Sequence, residues 1–230
     1  MVSLRNRSGE FSGLFLIIAC LFVTCLLLSN IIAGKLIMVR GLVLPAAVIL
    51  FPVTYIFGDV MTEVYGFRRA RLVIWIGFAC NLLMALVFLA TIALPAPGFW
   101  LGQSAYASVL GMTPRIVAAS LLAYLLGEWS NAAILSRMKL ITEGRWLWTR
   151  TISSTVVGEG LDTVIFIGIA FGGTMPLEVL GQMMLAQYLW KVVYEVLLTP
   201  VTYYVVGRLK DREDIDIFDS NVSYNPFRLG

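Results

Sequence analysis

Seven ionisable side chains, Asp59, Glu63, Glu128, Glu159, Asp162, Lys191 and Glu195, sit inside apolar runs of sequence, together with the amides Asn131 and Gln187. Their spacing is helical. Asp59 and Glu63 are i,i+4, Glu128 and Asn131 are i,i+3, Glu159 and Asp162 are i,i+3, and Gln187, Lys191 and Glu195 are i,i+4,i+8, so each set shares one helix face. Several acids, one amine and amides, with Tyr124, Trp129, Phe166, Tyr188 and Trp190 nearby in sequence, suit a flat, hydrogen-bonding, mostly uncharged heterocycle. A carboxylate accepts two parallel N–H bonds from the N1–H and 2-amino edge of a guanine-like ring, and an aromatic face stacks on that ring. A sugar or a peptide stays open on this argument alone. Paired carboxylates can also share a proton and activate water, the chemistry of an intramembrane aspartyl protease built on Asp59 and Asp162. The Gly-x-Gly-Asp context of such enzymes is missing.

The elements that position these residues must lie in a membrane. The chain has 230 residues, 59% hydrophobic and 13% charged, with a mean hydropathy of +0.86, against roughly 45–50% apolar and about 25% charged for a soluble domain. A helix crossing a ~30 Å hydrocarbon core needs about 20 apolar residues. Six segments qualify, at about 12–34, 44–65, 70–94, 115–137, 152–173 and 177–207. The expected fold is therefore an all-α integral membrane protein, a single six-helix domain over 1–207. A tail over 208–230, rich in acids, is expected to be solvated and cytoplasmic. Arg5, Arg7, Arg68, Arg69, Arg71, Arg137, Lys139, Arg145, Arg150, Arg208, Lys210, Arg212 and Arg228 fall on one side of such a topology, and only Lys35, Arg40 and Arg115 on the other. That asymmetry places both termini in the cytoplasm.

The absence of histidine excludes zinc hydrolases of the usual ligand set and Ser-His-Asp or Cys-His enzymes. Neither a P-loop nor a GxGxxG motif is present. Cys20, Cys25 and Cys80 lie in apolar runs and read as small hydrophobes. Arg5, Arg7 and Ile17-Ile18-Ala19-Cys20 imitate a lipoprotein signal, but the apolar run continues to Leu28, so the segment reads as a retained first helix. The third connection, Pro95-Ala96-Pro97-Gly98-Phe99-Trp100 and the stretch from Gln103 to Gly111, reads as an outward interfacial segment with a short helix.

Seven charges facing lipid would cost on the order of 20 kcal/mol, so they must face one another, water or a ligand. Glu128, Asp162 and Lys191 fall near the middle of their spans, and Glu63 lies near a cytoplasmic end, where Arg68 or Arg69 is its expected partner. Interhelical pairing of Lys191 with Asp162 or Glu128 accounts for one amine against six acids and leaves the rest unexplained. Leu28-Ser29-Asn30 and Trp129-Ser130-Asn131 recur about 100 residues apart, as do Gly58-Asp59 and Gly158-Glu159. Three spans per half would make this an inverted 3+3 repeat with a site at the repeat interface.

These motifs resemble a known family. Gly58-Asp59-x-x-Thr62-Glu63-x-Tyr65-Gly66, Pro97-x-x-Trp100-x-x-Gln103-x-Ala105-Tyr106, Glu128-x-x-Asn131, Gly158-Glu159-x-x-Asp162-Thr163, Gln187-x-x-x-Lys191-x-x-x-Glu195 and Tyr224-Asn225-Pro226-Phe227 are similar to those of the queuosine precursor transporter family, also called VUT. The resemblance covers nearly the whole chain and implies a six-span protein of the bacterial inner membrane. It implies import of 7-cyano-7-deazaguanine, and of 7-aminomethyl-7-deazaguanine, for queuosine modification of tRNA. The expected substrate-binding residues are Asp59, Glu128, Asn131, Glu159, Asp162, Gln187, Lys191 and Glu195. No catalytic residue, cofactor, metal or nucleic-acid partner is expected. The expected partners are the 7-deazaguanine, the bilayer and a second copy in a homodimer. A binding subunit serving a separate ATP-driven module is the alternative within transport.

Overall fold

The computed structural model describes residues 11–33, 35–39, 42–111, 114–174 and 176–228. Arg5, Arg7 and Arg40, which entered the charge asymmetry, lie outside them. Among the described residues the helices are α1 (Gly13–Ile32), α2 (Phe51–Tyr65), α3 (Phe67–Ala93), α4 (Gln103–Leu110), α5 (Pro114–Ile141), α6 (Leu147–Phe171) and α7 (Leu177–Glu213). Four stretches are long and apolar enough to cross a membrane: α1, α3, the segment ending in α5, and α6. The fold is that of an all-α membrane protein.

One small departure precedes α2. The helix expected from about residue 44 begins at Phe51, after a two-stranded antiparallel hairpin, β1 (Leu36–Val39) with β2 (Leu42–Pro45), and a 3₁₀ turn over Ala46–Ile49. Pro52 explains the start, because a proline in the first helical turn gives up an N–H that has no partner there. The shortened α2 is the hub of the bundle and packs on α1, α3, α5 and α7. Twelve of its 15 residues are buried, so its two acids are shielded by neighbouring helices. Its Val60, Met61 and Val64 join Phe15, Phe22 and Leu26 of α1 and Val73 and Ile74 of α3 in the apolar core. Outward-facing Leu83, Leu86, Val164 and Leu197 leave an apolar perimeter.

The tail is not solvated as expected. Arg71 Nη1 donates to the carbonyls of Ser223 and Asn225, both at 2.7 Å, and Trp75 Nε1 donates to that of Pro226 at 2.8 Å. Asp219 is buried, and Asp216 meets Lys139 at 2.5 Å and Lys210 at 2.9 Å. Two of the acids that suggested solvent, Asp216 and Asp219, instead find cations and a helix end on the bundle, while Asp211 and Asp214 stay exposed.

The inverted repeat is not established by this packing. Asn131 donates across helices to Asp59, whereas Asn30 donates to Leu26 O of its own helix and accepts from Ser120. The two halves give their paired asparagines different work.

Candidate functional site

The site begins with two glycines that let α5 and α6 touch. A Cβ on Gly158 would stand 2.8 Å from the Asn131 Cβ, and one on Gly127 would stand 2.9 Å from the Asp162 Cβ. Small residues at such a seam allow close backbone approach. The result presses the face bearing Glu128 and Asn131 onto the face bearing Glu159 and Asp162. From α7, Lys191 enters between the two acids of α6, with Nζ 2.5 Å from Glu159 Oε2 and 2.6 Å from Asp162 Oδ2. The ring of Phe51 lies beside this ammonium, 5.1 Å from Nζ to its centroid.

Glu128 stands apart from the shared cation. Its side chain is buried and within electrostatic reach of Glu159, Asp162 and Lys191, yet it makes no ion pair or hydrogen bond among the described residues. Gly58 makes room for it, since a Cβ there would approach Glu128 Oε2 to 3.1 Å.

A second polar layer adjoins the first. Asn131 Nδ2 donates to Asp59 Oδ1 at 2.6 Å, and Glu195 of α7 is the strongest charged neighbour of Asp59. Asp59 Oδ2, Asn131 Oδ1 and Glu195 Oε1 are buried without a hydrogen-bond partner among the described residues. Gln187, one turn before Lys191, is half-buried and makes no hydrogen bond to either layer among the described residues. Asp59 is held by Asn131 and Asp162 by Lys191, so the two do not share a proton as a protease dyad would.

Of the aromatics, Tyr124 is occupied, donating to Ile74 O at 3.1 Å. Phe166 packs edge-on against Phe171, and Trp190 is exposed. Trp129 Nε1 is a buried donor without a partner among the described residues. Sequence reasoning missed Tyr55, buried within electrostatic reach of Glu128, Glu159 and Asp162. It also missed the buried, unpartnered hydroxyls of Thr155 and Thr163. Helical spacing was the available signal: Tyr55 precedes Asp59 by four residues, and Thr155 and Thr163 flank Glu159 by four on either side.

Glu63 belongs to a different structure. It does not pair with Arg68 or Arg69: Arg150 grips it with two bonds of 2.7 and 2.8 Å, and Lys210 adds a third at 2.6 Å. Arg69 lies instead over the rings of Phe11 and Phe15. A cleft between α1, α3, α4 and α5, about 490 Å³ of empty space counting its open mouth, is bordered by Asn30, Asn81 and Ser120 and contains none of the acids. The ionic chemistry is therefore in the buried cluster.

An apolar helical bundle closed around charged and amide side chains at depth is a polytopic membrane protein with a polar interior. The chain belongs to the family described as "Putative vitamin uptake transporter", which matches residues 45–205, a family of transporters and not of enzymes. It is similar to a "Probable queuosine precursor transporter" of Bacillus subtilis (strain 168), 28% identical over 176 residues that cover 76% of this chain and 77% of the relative. It is also similar to a "Queuosine precursor transporter" of Escherichia coli (strain K12), 27% identical over 179 residues, covering 74% and 78%. No solved structure matches the chain. The chain is a multi-pass membrane transporter.

Proposed function

We propose that the chain imports 7-cyano-7-deazaguanine, and 7-aminomethyl-7-deazaguanine, across the bacterial inner membrane for queuosine modification of tRNA. Its six helices α1, α2, α3, α5, α6 and α7 cross the bilayer with both termini in the cytoplasm, and the working unit is a homodimer. The names of the two relatives and the one-sided distribution of Lys and Arg support this reading. Among the site residues, one relationship carries it: Lys191 is shared by Glu159 and Asp162, which leaves Glu128 with both oxygens free. A carboxylate reads the N1–H and 2-amino edge of a guanine-like ring with two oxygens at once. Glu128 has two to offer and lies beside the Lys191 cluster. The ring then lies against Glu159, Asp162 and Lys191, whose remaining oxygens and N–H groups meet its other edges, and Gln187 lies on the same face of α7. Asp59, Asn131 and Glu195 form the layer behind it.

The test is uptake of labelled 7-cyano-7-deazaguanine by liposomes containing this chain alone. Saturable uptake that is lost in Glu128→Gln supports the reading. Absence of uptake by the wild-type chain, in liposomes where it is inserted and folded, overturns it.

A further inference from the structure

The two buried polar layers together hold more acids than bases. Five carboxyl groups, Asp59, Glu128, Glu159, Asp162 and Glu195, are buried around one ammonium, Lys191. Glu63 is excluded because Arg150 and Lys210 neutralise it. Among the described residues Lys191 forms ion pairs with Glu159 and Asp162 only. Among the described residues no other cation pairs with these five: α1 carries no Asp, Glu, Lys or Arg, α3 carries charge only in its first turns, at Arg68, Arg69 and Arg71, and Lys139, Arg150 and Lys210 pair with Glu63 or Asp216. Asp59 is bonded by Asn131 of α5 and lies within electrostatic reach of Glu195 from α7, Glu128 from α5 and Glu63 from its own helix. On α6, Glu159 lies within electrostatic reach of Glu195.

The unpartnered atoms of the second layer are of one kind. Asp59 Oδ2, Asn131 Oδ1 and Glu195 Oε1 are all acceptors, on side chains no more than 2% exposed. The acceptor on Asn131 matters most, because it is a neutral group whose own N–H already serves Asp59. What this layer lacks is a donor. A proton on either carboxyl supplies an O–H and removes one negative charge in the same event, which is how close carboxylates in apolar surroundings are stabilised.

We propose that Asp59 and Glu195 carry one transported proton between them and that the chain is a proton–substrate symporter. This rests on the import reading above. The step balances simply: an O–H bond forms with a proton from water on one side, then breaks to return it to water on the other. No electrons move. Coupling follows from charge, since Glu128 lies within electrostatic reach of Asp59 and Glu159 within that of Glu195, so a charge change in one layer alters affinity in the other, and the effect is reciprocal.

Proteoliposomes holding the full chain separate the two readings. Counterflow of labelled 7-cyano-7-deazaguanine, with no pH difference, reports transport itself. Accumulation with the outside one pH unit more acidic reports coupling, and one proton per neutral substrate sets a limit of about tenfold over equilibrium. The expected result is several-fold accumulation, abolished by a protonophore, with the lumen acidifying as substrate enters. In Asp59→Asn and in Glu195→Gln the ratio of uptake with and without the gradient falls to one, whatever the absolute rate. If counterflow is seen and the wild-type ratio is one, the proton inference is overturned and the import reading stands. If the wild type shows no counterflow, both fall. Gradient-driven accumulation in both variants equal to wild type overturns the assignment to this pair. Where neither variant carries counterflow, proton uptake on substrate binding is measured in weakly buffered detergent, and unchanged uptake in both overturns it equally.

Discussion

Asp219 caps a helix that begins 152 residues earlier: its Oδ2 accepts the Phe67 backbone N–H at 2.8 Å and the Ser136 hydroxyl at 2.6 Å. The cap of α3 within its own sequence is Gly66, which has no side chain to offer. A carboxylate at a helix N-terminus satisfies an unpaired N–H and meets the positive end of the dipole. Gly66 is also required by its backbone, at φ +83°, and by space, since a Cβ would lie 2.8 Å from Ile217 Cγ2 and 3.0 Å from Asp219 Oδ1.

Asp219→Ala is therefore expected to destabilise the fold by about 1 kcal/mol, a typical cap loss, and to release the tail. Limited trypsin digestion of detergent-solubilised protein should cut after Arg212 faster than in wild type. Gly66→Ala should accelerate the same cleavage further, because it adds backbone strain to the collision with Ile217 and Asp219. Equal digestion of all three would show that the tail is not held by this cap.

Arg150 ties Glu63 to the α5–α6 turn. Besides its two bonds to Glu63, it donates to the carbonyls of Gly144 and Arg145, in a turn where Glu143, Gly144 and Trp146 all have positive φ. Removing one member of a buried ion pair leaves the other uncompensated and costs about 3–5 kcal/mol. Arg150→Gln is expected to lower the melting temperature strongly in detergent. Arg150→Lys should not restore it, because a point charge cannot reproduce the two-pronged grip. Glu63→Gln combined with Arg150→Gln should recover part of the loss.

These two clusters also mark where sequence reasoning ends. The helices were legible because long apolar runs have few other folds in a bilayer. The facing of Asp162 and Lys191 was legible because each lies at mid-span on a helix whose polar residues share one face. Glu63 was misassigned because proximity in sequence favoured Arg68 and Arg69, while its true partner lies 87 residues away beyond a strained turn. The tail was misread because Asp216 and Asp219 carry the composition of solvated chain, and nothing local to them announces Lys139, Lys210 or the bare end of α3. Ion pairs between segments far apart in sequence leave no periodicity to read.

Asp216 gives the docked tail a pH dependence. Burial alone would push its carboxyl up, but hydrogen bonds from Lys139 and Lys210 outweigh that and hold it below the ordinary carboxylate value. A group depressed in the folded state contributes its stability above the unfolded value, about 3.9, and loses it as pH falls through the lower folded value. Hydrogen exchange at the Ile217 amide should thus stay protected, after correction for intrinsic rates, from pH 8 to pH 5 and loosen below pH 4. Asp216→Asn should exchange faster at pH 5 to 8 and show a smaller change on acidification. A variant as protected as wild type at neutral pH would rule out this ion pair as a tail clamp.

The narrowest contact around Glu128 offers a test of substrate reading that does not touch any charged residue. A Cβ at position 58 would come 3.1 Å from Glu128 Oε2, so Gly58→Ala requires the carboxylate to move by a few tenths of an ångström, and Gly58→Val, with two further carbons, requires it to turn away. If both oxygens of Glu128 receive the N1–H and 2-amino groups, misaligning them weakens the 2-amino contact selectively. For the wild type, an analogue lacking the 2-amino group leaves a buried, charged acceptor unpaired, which costs ~1–3 kcal/mol or more, a loss of roughly tenfold or greater in competition. In Gly58→Val the parent should bind more weakly while the des-amino analogue changes little, so the ratio between them shrinks toward one. Gly58→Ala should fall between. Competition assays that found the full ratio preserved in Gly58→Val, or no ratio in the wild type, would remove Glu128 as the residue that reads the guanine edge.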